Sequence, residues 1–227
     1  MRVLLTLLVL ATISIAGFPQ ANSSQNPVEI KGEPRHHPKL ENEFVRIWDV
    51  TVPGGDATLW HAHRNDNVVV TLAPAKLRIE TLGRDPVDAE WKYGEVRFSK
   101  ATYVHRAMNV GTTAFHNLTI ELLKPSASNS MSSALPKETG REPILENDRV
   151  RVFRVSLGPG ESLPTHKHPL PGMAVAITAG ELEFTTQGKS DRMTVAASEV
   201  RWRPNAVTHS VKNVGKTRFD GIDIELK

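Results

Sequence analysis

The chain has 227 residues, of which 39% are hydrophobic and 23% charged, enough apolar material for one large core or two small ones. Its formal charge of +3 is scattered without a basic run, which argues against nucleic acid as a partner. The absence of cysteine excludes disulfides, thiolate metal ligands and cysteine nucleophiles together.

Residues 1–16 have the form of a secretory signal peptide: Arg2, an apolar run too short to span a bilayer, and small Ser14 and Ala16 before a cleavage point. A periplasmic or secreted protein is expected, free of the membrane after cleavage because no lipidation cysteine follows. Residues 17–39 read as a flexible N-terminal segment. Within residues 40–124, strand-like runs occupy 45–52, 68–72, 76–81, 95–98 and 115–123. Turns fall at Pro53-Gly54-Gly55, Leu82 to Pro86 and Asn109-Val110-Gly111. Residues 125–140 are serine-rich and read as a linker, and residues 141–227 form a second domain. No long amphipathic helix is present, so the expected fold is all-β, of sandwich or barrel type.

The second domain repeats the first. Glu41 to Val50 (ENEFVRIWDV) matches Glu146 to Val155 (ENDRVRVFRV) at an offset of 105, which carries Gly55 onto Gly160, His61 onto His166 and His63 onto His168. One residue then drops out. At an offset of 104, His105 falls on His209, Asn109-Val110-Gly111 on Asn213-Val214-Gly215, and Ile120-Glu121-Leu122 on Ile224-Glu225-Leu226. So long a period indicates a duplicated domain rather than a solenoid.

In each copy a His-x-His pair is followed, about 44 residues later, by a third histidine. Alternate residues of a strand point to one face, roughly 6.5 to 7 Å apart, so His61 and His63 can converge on one ion, as can His166 and His168. His105 and His209 must join from a neighbouring strand. Imidazole is a common ligand of zinc, iron, copper and nickel, and recurrence of the whole three-histidine pattern makes chance an unattractive explanation. Trp60 is expected to face away from the pair and to pack. His36, His37 and His116 have no partner pattern and read as surface or linker residues. Arg97 and Arg201 recur at equivalent places, either for an anionic substrate or on a solvent-facing strand side.

These residues resemble the cupin superfamily, and specifically a bicupin. Its first motif is met by Gly55, five residues and His61-Ala62-His63, and by Gly160, five residues and His166-Lys167-His168. Its second motif is met by Pro204 to His209 with Asn213, with Ala206 for the glycine; in the first copy His105 and Asn109 remain, with Lys100 and Thr102 in place of the proline and glycine. The resemblance implies two tandem, jelly-roll-like antiparallel β-barrels. It also implies two metal sites, His166, His168 and His209 (the preferred one, for its fuller motif) and His61, His63 and His105. The family's ligand glutamate, expected after four intervening residues beyond the second histidine, is replaced by Val68 and Met173, leaving three neutral imidazoles. Asn67 and Asp66 could supply oxygen near the first site if the loop after His63 is one residue tighter, but the favoured reading is a polar turn.

Two function classes follow. One is an exported enzyme holding a divalent transition metal (Fe, Mn, Ni or Zn, with Cu a lesser option through Met173) and acting in dioxygenase-like fashion on a small organic substrate such as a diketone or catechol-like enol. The other is a non-catalytic module for a carbohydrate, another small ligand or metal alone. The remaining partner expectation, a homodimer, is left open.

Overall fold

The computed structural model describes residues 26–125 and 140–227; the expected leader, residues 17–25 and nearly all of the serine-rich linker lie outside the described residues. The first unit runs β1 (Val28–Glu29), a 3-10 turn (Ile30–Gly32), β2 (His36–Glu41), β3 (Val45–Val52), β4 (His61–His63), β5 (Asn67–Ala73), β6 (Ala75–Thr81), β7 (Val87–Trp91), β8 (Val96–Ser99), β9 (Tyr103–Asn109) and β10 (Phe115–Leu122). The second runs β11 (Arg141–Glu146), β12 (Val150–Leu157), β13 (Ser162–His168), β14 (Gly172–Ala176), β15 (Gly180–Thr186), β16 (Lys189–Val195), β17 (Val200–Arg203), β18 (Val207–Asn213) and β19 (Phe219–Leu226). The first unit therefore starts ahead of residue 40: residues 28–39, expected to be flexible, contribute two strands and a buried Ile30.

Each unit is a pair of sheets. In the first, β2-β3-β10-β5-β8 faces β1-β4-β9-β6-β7; in the second, β11-β12-β19-β14-β17 faces β13-β18-β15-β16. The sheets stay separate in hydrogen bonding, so the units are all-β sandwiches of jelly-roll type rather than closed barrels. The pairing of β1 with β4 is parallel, an exception to the antiparallel expectation.

The period-2 pattern of the inner strands builds two cores at once. On β3, Val45 and Ile47 point to one face while Trp48, Val50 and Val52 point to the other. The same split recurs on β5, β10, β14 and β19. One set of side chains, including Val68, Val70, Leu118 and Ile120, meets Val152, Met173, Val175, Ile222 and Ile224 of the other unit in a single shared core. Phe44 stacks on Trp202 at 5.8 Å, and Arg149 pairs with Asp66 at 2.8 Å across the same junction. The opposite faces line the interior of each sandwich, with Trp48, Leu77 and Phe115 in the first and Leu157, Leu182 and Phe219 in the second. Gly55 and Gly160 sit at equivalent turns with φ of +76° and +79°, a conformation that suits glycine.

Candidate metal centres

In each unit the histidines face inward, between the two sheets. His61 lies opposite His105 across the β4–β9 ladder, and His166 opposite His209 across β13–β18. Strand geometry then brings His63 and His168, two residues on, to the same face. In the first unit the three Nε2 atoms form a nearly equilateral triangle with sides of 3.1, 3.0 and 3.0 Å. In the second, His168 Nε2 lies 3.0 Å from His166 Nε2 and 3.2 Å from His209 Nε2.

Outer hydrogen bonds decide what these nitrogens present. His61 Nδ1 donates to the Leu59 carbonyl (2.9 Å) and His166 Nδ1 to the Pro164 carbonyl (2.8 Å). His168 Nδ1 donates to Glu225 (3.1 Å) and Asp223 (3.2 Å). A neutral imidazole that donates from Nδ1 carries a lone pair on Nε2, so His61 in the first centre and His166 and His168 in the second turn lone pairs inward, which a proton or a Lewis acid satisfies. Protonation is disfavoured. Burial, with His36 nearby, lowers His61 to about 4, and burial also holds His63 and His105 well below the ordinary histidine value. His209 is lowered to about 3 by burial and by its two histidine neighbours. Three sides near 3.0 Å with bonds of about 2.1 Å subtend roughly 90° at an ion, the face of an octahedron, which leaves positions for water or substrate. The donor sets therefore fit a divalent transition ion.

The surroundings of the two triads differ. His63 Nδ1 has no protein hydrogen-bond partner; its ring is oriented instead by stacking on Tyr103, 4.7 Å away and 14° from parallel. Tyr103 in turn bonds Asn67 at 3.0 Å, and burial raises its phenol, keeping the O–H intact. Glu121, the counterpart of Glu225, is drawn away by the Trp48 indole N–H (2.9 Å) and Asn65 (3.1 Å). Phe153 replaces Trp48 in the second copy and offers no donor, so Glu225 turns to His168 and Arg141. There, Arg141 bonds both Asp223 (3.0 Å) and Glu225 (3.3 Å), and Arg203 joins Asp223 at 3.1 Å. Two guanidinium groups thus stand beside the second triad. The first has buried Glu33 and Glu121 instead.

The space beside each triad differs as well. A cavity of about 410 Å³ adjoins His61, His63 and His105, walled by Leu77, Ile79 and Trp91 and also lined by Arg84 and Lys100. The cavity at His166, His168 and His209 holds only about 80 Å³. The fuller motif of the second copy does not translate into the roomier site, because arginines and Phe184 occupy the space.

Other expectations from the sequence need correction. The position facing the triads follows the second histidine after three intervening residues, not four: Asn67 and Gly172 face the sandwich interior, while Val68 and Met173 lie in the core shared by the units. Met173 is therefore no copper ligand, and Asn67 is a buried interior residue rather than a turn residue. A Cβ on Gly172 would stand 2.1 Å from the Ile224 carbonyl oxygen, which excludes a glutamate there without backbone movement. Arg97 lies over Trp91 and pairs with Glu95, away from the cavity's lining; Arg201 lines the second cavity and pairs with Glu199. His116 pairs with Asp49, whereas His36, read as a surface or linker residue, is buried and lines the first cavity. His36 and Arg141 share the 105-residue offset, a signal the sequence held.

No family model and no curated protein matches the chain. Among solved structures, oxalate decarboxylase of Bacillus subtilis, an enzyme with Mn(II) centres, is similar over 84% of this chain and 74% of its own, at 13% identity and a TM-score of 0.59. A cupin 2 conserved barrel domain protein from Leptotrichia buccalis matches over 85% and 88% respectively, at 14% identity and a TM-score of 0.51. A cupin domain from Bordetella pertussis is 30% identical over 94% of its length and 39% of this chain, with a TM-score of 0.37. With two tandem sandwiches, each carrying an inward His-x-His pair and a third histidine from the adjacent strand, the chain shares the fold of these cupin-domain proteins.

Proposed function

We propose that the first copy is the working site, a three-histidine centre for Fe, Mn, Ni or Zn that acts in dioxygenase-like fashion on a small organic substrate. The observation that carries this reading is the convergence of the His61, His63 and His105 Nε2 atoms beside a cavity of about 410 Å³, within the usual range for small-molecule sites. A bound divalent ion would supply Lewis acidity and, where it is Fe, Mn or Ni rather than redox-inert Zn, redox capacity. The chain supplies the rest. Leu77, Ile79 and Trp91 exclude water, the Tyr103 phenol offers a proton donor beside His63, and Arg84 and Lys100 favour an anionic or enolised substrate such as a deprotonated diketone. On the same reading, the leader expected at residues 1–16 would direct this activity to the periplasm or outside the cell.

For the second copy, the small cavity and the guanidinium groups favour a structural, non-catalytic module. Arg141 and Arg203 take up the charge of Asp223 and Glu225 there, whereas Glu33, which accepts from His36, backs the first centre. Metal analysis of untagged protein tests the assignment: His61→Ala should lose most bound metal and any dioxygen uptake with diketone or enol substrates, while His166→Ala keeps most of both. The reverse pattern would return the assignment to the second copy. Metal binding without dioxygen uptake on any such substrate would support a binding module instead.

A further inference from the structure

His36 is the point at which the two copies diverge beside their triads. It opens β2, where Arg141 opens β11, and both side chains are buried. Its ring centroid is 4.8 Å from that of His61, about the separation within the triad itself, and 6.4 Å from that of His63. One ring nitrogen of each of His36, His61 and His63 lies within 4.8 Å of the others.

The orientation of His36 is set by Glu33. Its Nδ1 donates to Glu33 Oε2 at 2.6 Å, and both groups are buried. Glu33 is itself fixed by the backbone N–H groups of Leu59 (3.0 Å) and Arg35 (2.9 Å). The segment that carries the pair is tied to the ligand strand: β1 runs parallel to β4, with Val28 opposite His61, and Arg35 pairs with Asp56. Donation from Nδ1 to a carboxylate leaves a lone pair on His36 Nε2, the carboxylate–histidine arrangement typical of metal ligands.

We infer that His36 is a fourth imidazole ligand of the first centre, oriented by Glu33 as a positioning residue; this rests on the first triad being a metal site. Ligands on opposite sides of an ion with bonds of about 2.1 Å stand roughly 4.2 Å apart, so 4.8 Å asks for an adjustment of less than about 1 Å, which side-chain rotation supplies. The centre then holds four neutral nitrogens backed by a carboxylate, and fewer positions remain for substrate than in a three-histidine site. The second copy cannot copy this arrangement, because a guanidinium has no lone pair to donate.

The test uses the full chain carrying His166→Ala, loaded with Cu(II), so that electron paramagnetic resonance counts the nitrogens coupled at the first centre. Adding His36→Gln should reduce four couplings to three and weaken copper binding by about 10- to 100-fold. Glu33→Gln should act in the same direction, since a glutamine amide donating to His36 Nδ1 moves the ring proton onto Nε2. Thermal melting of each metal-free variant reports folding independently. Unchanged couplings and affinity in both folded variants would overturn the role of His36 alone. A parent protein that binds no copper would overturn the reading of the triad, and the inference with it.

Discussion

Gly172 shows how one side chain can be ruled out by its neighbours. With Ile224's carbonyl oxygen 2.1 Å from a would-be Cβ, even Gly172→Ala must push two strands apart. A loss of about 1 to 3 kcal/mol or more is expected, read from urea denaturation, with the first centre's metal content unchanged. The histidines make a second prediction. His61 has its folded-state value lowered to about 4, so between about 6.5 and 4 the unfolded chain binds the extra proton. Stability of the metal-free protein should therefore fall as pH drops through that window, by about 1.4 kcal/mol per unit for His61, with His209 acting in the same direction. Glu33 and Asp223 are held below their ordinary values, Glu33 by bonds from His36 and Leu59 that overcome burial and Asp223 by His168, Arg203 and Arg141. Their contributions are lost only at lower pH. Denaturation of metal-free protein from neutral to mildly acid conditions checks the slope, and flat stability across the window would contradict it.

At the scale of elements, strand alternation decided both what was legible in the sequence and what was misread. The apolar run at 45–52 is a strand over Val45–Val52, and the histidine pairs do project together. The ligand-position count went astray by one residue after His63 and His168, and a slip of one flips a side chain to the other face. Val68 and Met173 consequently looked like site residues while they belong to the shared core. Met173→Ala should cost about 2 to 5 kcal/mol through the cavity it leaves, yet metal stoichiometry should stay the same. Loss of metal without loss of stability would restore a ligand role. His36 escaped notice because its partner at the repeat offset is an arginine rather than a histidine, and its burial arises from packing beside His61 and Trp48, which the sequence does not display. Arg203 was silent, since only tertiary packing turns a surface-type residue inward.

Across the whole molecule, the inner sheets of the two units join at one core, so the halves should unfold together. A single transition, followed by tryptophan fluorescence and by far-UV circular dichroism alike, is the expected outcome; two separated transitions would show that the junction is weak. The residues meeting there are equivalents of one another: Val45 and Val150, Ile47 and Val152, Val70 and Val175, Ile120 and Ile224. Such a surface is self-complementary, the signature of an isologous two-fold contact. The chain is thus a homodimer written on one polypeptide, and residues 26–125 expressed alone should pair with themselves, which sedimentation would reveal. Fusion has a consequence that symmetry forbids. In a true homodimer every substitution appears twice, so a histidine and an arginine can never share one structural address; joined in tandem, the two protomers are free to specialise, one toward chemistry and the other toward scaffolding.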